Sequence, residues 1–161
     1  MRTQRIKKCS GLTLIELVIA MAILAILAAT VIPLSEVTVT RTKELELRRS
    51  LRDIRSAIDA YKLDYNKAVV EKKIFATVGE SGYPEELEKL LEGSDWGGLY
   101  PFKKKYLRRI PKDPFDRDNY GWGLRSYIDD ADSTVWGGED VYDVYSQNED
   151  IALDGTIYRD W

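Results

Sequence analysis

Apolar positions follow two patterns along the first part of the chain. From Leu17 to Leu34 the sequence is an almost unbroken run of Leu, Ile, Val, Ala and Met. About 18 such residues is the lower range for a membrane-spanning helix. Starting at Leu12 adds a further turn, which contains one carboxylate, Glu16. Beyond the run, Leu47, Leu51, Ile54, Ile58, Tyr61 and Tyr65 recur at alternating spacings of three and four, one face of an α-helix. Charged residues fill the remaining faces, among them Glu44, Arg48, Arg49, Asp53 and Arg55. No Gly or Pro interrupts residues 35–66. Joined, the two stretches predict a helix of roughly 50 residues, about 75 Å long at 1.5 Å per residue. Pro33 lies near the outer end of the apolar run, where its missing N–H and ring clash predict a kink.

Periodicity lapses from Lys67 to Gly82, which predicts a loop. Tyr83-Pro84-Glu85-Glu86-Leu87 then opens a short helix, with Pro early, acids in the first turn and Leu87, Leu90 and Leu91 at helical spacing. Gly93 is its expected end. The basic stretch Lys103–Arg109 has the composition of a solvated loop. Ile110-Pro111-Lys112-Asp113-Pro114-Phe115 makes a stiff extended bend, because each X-Pro step disfavours helix. Leu124 to Ile128 and Val141 to Ser146, rich in Tyr and Val, predict strands around an acidic Gly-Gly turn. The expected fold class is α+β: a long N-terminal helix with a small C-terminal antiparallel sheet packed on its second half. The boundaries are 1–11, 12–34, 35–66 and 67–161.

Charge orients this layout. Arg2, Arg5, Lys7 and Lys8 precede the apolar run with no acid among them, so the positive-inside rule keeps the N-terminus cytoplasmic and sends the rest outward. The net charge is −3, and loss of those four cations takes it to −7. An acidic domain of this kind argues against a nucleic-acid partner, whose phosphates need a basic face. The chain has no His, which excludes Ser-His-Asp and zincin chemistry. Its one Cys, Cys9, lies before the apolar run and leaves the remainder without a disulfide. Glu16 is the anomaly: a charge within a hydrocarbon-embedded helix costs on the order of 2.5–3.5 kcal/mol. It needs a partner.

Gly11 followed by Leu12-Thr13-Leu14-Ile15-Glu16, a basic leader before it and an apolar helix after it, resembles the prepilin signature of type IV pilins and type II secretion pseudopilins. Leu12 stands where members usually carry Phe. The resemblance implies that a prepilin peptidase cuts between Gly11 and Leu12 and methylates the new amine of Leu12. It also implies that Glu16 neutralises the N-terminal amine of a neighbouring copy as helices pack into a filament. In low dielectric an opposite charge is strongly attractive and a missing one is costly. Pro33 matches a position where such proteins carry a Pro that lets the helix bend.

YPEELEKLL, YLRRIPKDPF and the closing DVYSQNEDIALDG…W are similar to the major pseudopilin of type II secretion. That similarity implies calcium in the loop after the Tyr-Ser strand, with Asp150 and Asp154 as side-chain ligands and the carbonyl of Gln147 in the shell. A hard dication takes six to eight oxygens, which carboxylates in a turn-rich loop supply. Departures are the missing Gly after Asp150 and the short loop.

The implied function is that of a non-enzymatic filament subunit, anchored in the inner membrane with its head in the periplasm. It would polymerise with itself, with the minor pseudopilins and the inner-membrane secretion platform as partners, to drive export of folded proteins. Two rivals are a type IV pilus subunit for adhesion or motility and a monomeric, signal-anchored periplasmic binding domain. An unprocessed N-terminus marks the latter.

Overall fold

A computed structural model of the protein describes residues 11–77 and 79–161, with the side chains of residues 30–34 outside the described set. The elements are α1 (Leu14–Val70), α2 (Lys89–Glu92), β1 (Gly123–Arg125), β2 (Asp143–Tyr145) and a 3-10 turn at Tyr158–Asp160. The α+β expectation holds: a long N-terminal helix, then a head built round one antiparallel pair. Contacts divide the chain into two units, residues 1–40 and 41–161.

In the first unit every described side chain from Gly11 to Ala29 is exposed, including ten large apolar ones between Leu14 and Leu27. A helix apolar on all sides must be covered by lipid or by other helices. Among the described residues no helix is long and apolar enough to cross a membrane. The apolar run of the sequence continues through residues 30–34, outside the described side chains. The bend expected at Pro33 falls there too, and the leader lies outside the described residues up to Ser10.

In the second unit, the stripe read from the sequence is the core. Leu47, Leu51, Ile54 and Ile58 are buried against Leu90, Trp122, Val141, Val144 and Tyr158. Tyr65 and Ala68 form a second cluster with Trp96. That cluster explains why α1 runs to Val70 where a loop was expected from Lys67. Ala68 continues the three-and-four spacing and is fully buried, so packing holds the extra turn.

The head elements are shorter than their sequence patterns. Tertiary hydrogen bonds take backbone groups that a longer strand or helix would use. Val141 N–H donates to Pro84 O (2.7 Å), Ser126 N–H to the Asp129 carboxylate (2.7 Å) and Tyr127 N–H to that of Asp140 (2.8 Å). The pairing is therefore confined to Gly123↔Tyr145, Leu124↔Val144 and Arg125↔Asp143. Gly123 is required there, because an added Cβ would strike the Tyr145 ring. The helix expected from Tyr83 is regular only over Lys89–Glu92, and Gly93 ends it at φ 73°, where glycine pays no Cβ penalty.

Candidate functional site: the helix start and the tail clasp

Gly11 and Leu12 precede α1 and are exposed, Leu12 to 77%. Thr13 caps the helix. Its Oγ1 accepts the Glu16 N–H at 3.3 Å, and its carbonyl accepts the Leu17 N–H at 3.2 Å. Thr13 and Glu16 thus occupy the first and last places of an S/T-x-x-E capping pattern, with the carboxylate near the positive end of the helix dipole. This cap gives Glu16 a local reason to stand in the first turn. It does not remove the cost of carrying that charge into an apolar packing layer.

The other site joins α1 to the end of the chain. Glu44, Arg48, Arg55 and Lys62 fall on one side of the helix, by spacings of four, seven and seven. Arg55 donates to Asp143 Oδ1 (2.6 Å), Val144 O (3.0 Å) and Trp161 O (2.7 Å), fastening both β2 and the last residue. Arg48 pairs with Asp154 at 2.7 Å and lies 4.0 Å from the Trp161 ring centroid. Glu44 accepts from Leu153 N–H (2.7 Å) and the Tyr158 hydroxyl (3.0 Å). Burial, helped by Glu44, pushes the Tyr158 phenol up to about 12. Lys62 donates to Ser81 O. Four of the charged residues of α1 are therefore bound within the chain.

This clasp bears directly on calcium. Asp154 Oδ2 is held by Arg48, while Oδ1 accepts from Thr156 N–H (3.0 Å) and Thr156 Oγ1 (2.6 Å). Both oxygens are engaged within the chain, one by the Arg48 guanidinium and one by Thr156. Asp150 accepts on its carboxylate from Asn148 Nδ2 at 3.4 Å, and the side chain of Gln147 donates to Gly121 O at 3.3 Å. Among the described residues no three Asp, Glu, His or Cys side chains cluster as metal ligands. The side chains of Gln147, Asp150 and Asp154 are thus each hydrogen-bonded within the chain.

Two further contacts hold the sequence motifs together. Ser146, in the Tyr-Ser strand, donates to Asp113 Oδ2 at 2.5 Å within the interior, and Asp113 Oδ1 accepts the Phe115 N–H at 2.8 Å. The proline-rich bend and the tail are thus one hydrogen-bonded unit. Asp64, buried on α1, accepts from Lys104 (2.6 Å), Tyr106 (2.7 Å) and Tyr100 (2.8 Å). Burial alone would raise the Asp64 pKa, but those donors together hold it below the usual carboxylate range. The hydrogen bond to Asp64 raises Lys104 in turn. The basic stretch expected to be solvated is therefore anchored at Lys104 and Tyr106, while Lys103, Lys105, Arg108 and Arg109 are exposed. Alternation of aromatic and basic residues was the available signal, but nothing local pointed to Asp64 as the partner.

Comparison with known proteins agrees with the helix start. Residues 6–32 match the model of the prokaryotic N-terminal methylation motif. Over 109 residues the chain is 28% identical to the type II secretion system core protein G of Klebsiella michiganensis, covering 67% of this chain and 69% of that protein. No solved structure matches.

Proposed function

We propose that the chain is a type IV pilin-like protein of the pseudopilin kind, a structural subunit of a type II secretion pseudopilus. The observation that carries the reading is a helix exposed and apolar on all sides, capped by Thr13 and holding one carboxylate at Glu16. Such a helix is stable when lipid covers it and equally when copies of itself do, so it can pass from bilayer to filament. Cleavage between Gly11 and Leu12 exposes an amine, and methylation of Leu12 keeps it a cation. Glu16 of one copy then meets that amine on the next and sets the register between helices. Before assembly the helix anchors the protein in the inner membrane, with the head outside in the periplasm. Prepilin peptidase, the secretion platform and the minor pseudopilins are its partners. The subunit works by packing and catalyses no reaction.

Mass spectrometry of protein purified from its own cells tests this reading. The expected product begins at Leu12 and carries one methyl group on its amine. A product retaining residues 1–11 would exclude processing and leave a simple membrane anchor.

The head needs no calcium on this reading, since Arg48 and Arg55 clasp the tail. A chelator is expected to leave the melting temperature unchanged. Arg48→Ala is expected to cost about 1 kcal/mol, from an exposed ion pair and a ring contact, and to lower the melting temperature by a few degrees. A fall on chelation that added calcium reverses would restore the ion.

A further inference from the structure

Two segments of the head are opposite in charge and nearly pure in sign. Residues 103–112 hold six cations and no acid, while residues 129–140 hold five acids and no base. Residues 106–112 of the basic segment, with three of its six cations, form one wall of a groove of about 1350 Å³, whose other wall is α1. Small residues of α1, Ser56, Ala57 and Ala60, line it, and Arg49, Arg108, Arg109 and Lys112 are exposed along its length. Its only carboxylates are Glu46 and Asp53, and Asp53 lies 3.9 Å from Arg49.

The acidic segment is organised to project. Asp129 accepts from Ser126 N–H and Gly137 N–H, and Asp140 from Tyr127 N–H, so two of the five carboxylates brace the loop from within. Trp136 Nε1 donates to Asp140 O at 2.7 Å. Asp130, Asp132 and Glu139 remain exposed around Val135, which is 76% exposed. The result is a braced apolar tip ringed by negative charge, the complement of a small-residue groove bordered by positive charge. A braced loop also loses little conformational freedom on docking.

The two surfaces do not compete for the same side of α1. The groove uses Arg49, Ser56 and Ala60, whereas the strand that follows the acidic loop meets α1 through Arg55. At 100° per residue those positions lie a quarter-turn or more from Arg55. An open, repeating assembly needs this: two different, mutually complementary patches on every copy.

We propose that the acidic loop 129–140 of one copy docks in the groove between α1 and residues 106–112 of the next. The proposal rests on the filament reading above and assigns the contact between heads, separately from the Glu16 pairing. Opposite charges steer the approach and set register, and like charges penalise the wrong one.

Filaments are counted by electron microscopy in cells making the full chain with its secretion machinery. Arg108→Glu with Arg109→Glu is expected to reduce them at least about tenfold, as is Asp130→Lys with Asp132→Lys. Combining all four is expected to restore them. Undiminished filaments in either double variant, or no restoration in the combination, overturns the proposal. As a second measurement, Ser56→Cys with Val135→Cys in a Cys9→Ser background is oxidised in formed filaments. A ladder of linked copies is expected. Filaments without a ladder, or linkage only to a different protein, overturn the docking and leave the subunit reading standing. Failure of the unsubstituted chain to form any filament overturns both.

Discussion

Glu16→Gln is expected to leave the protein in the membrane and to reduce filaments at least tenfold. Gln at the third helical position still completes the capping pattern opened by Thr13, so the helix start is preserved. Insertion becomes easier, because the charge that costs on the order of 2.5–3.5 kcal/mol in hydrocarbon is gone. What is lost is the only acid between residue 12 and residue 35 that can answer a methylated Leu12 amine. That amine would be left buried and uncompensated in the filament core, at a cost of about 3–5 kcal/mol, far above the 1.4 kcal/mol that a tenfold change requires. Glu16→Val removes the side-chain half of the capping pattern along with the charge and keeps the backbone N–H that donates to Thr13 Oγ1, so agreement between the two variants separates the ionic role from that of the side chain in capping. Membrane fractionation checks insertion and electron microscopy checks filaments. Normal filaments from Glu16→Gln would remove the pairing.

The second large effect is on the head. Asp64→Ala is expected to destabilise it by about 3 kcal/mol, a shift in melting temperature on the order of 10 °C. Three donors converge on this carboxylate, and two of them, the partly buried Tyr100 and Tyr106 hydroxyls, would lose the acceptor of their protons. Tyr106 also accepts from Trp96 Nε1 at 2.7 Å, so the loss spreads into the cluster that holds the last turn of α1. The same knot sets a pH window. Because the Asp64 pKa is lowered by folding, its contribution is present above the ordinary carboxylate value of about 3.9 and is lost as pH falls through the lowered one. Because Lys104 is raised by folding, its contribution is present below about 10.4 and is lost as pH rises through the raised value. Thermal unfolding across pH should therefore show a plateau that falls at both ends. Asp64→Asn should flatten both flanks, and an unaltered pH profile in that variant would contradict the knot.

How much of this was legible in sequence depends on the range of the interaction responsible. The stripe from Leu47 to Tyr65 was readable because a helix repeats every 3.6 residues whatever surrounds it. Gly93 was readable as a stop because the conformation it adopts is one other residues avoid. The helix start was readable for a similar reason: leader cations, Gly11 and Glu16 lie within one short stretch. The strands were overestimated. Val141 and Ser126 have strand-like neighbours, but their backbone N–H groups go to Pro84 and Asp129.

Sequence alone determined the first unit, because burial there follows from composition: nothing but an apolar partner suits a helix with no polar side. It also determined which face of the second half of α1 is core. Only the tertiary structure decided what its charges do. Glu44, Arg48 and Arg55 differ little in kind from Glu46, Arg49 and Asp53, yet the first three grip a tail about 90–110 residues away and the others border an open groove. The physical reason is that a charge has no preferred direction along the chain. Its partner is whichever opposite group the fold returns to within hydrogen-bonding distance, and that return is set by the packing of the core.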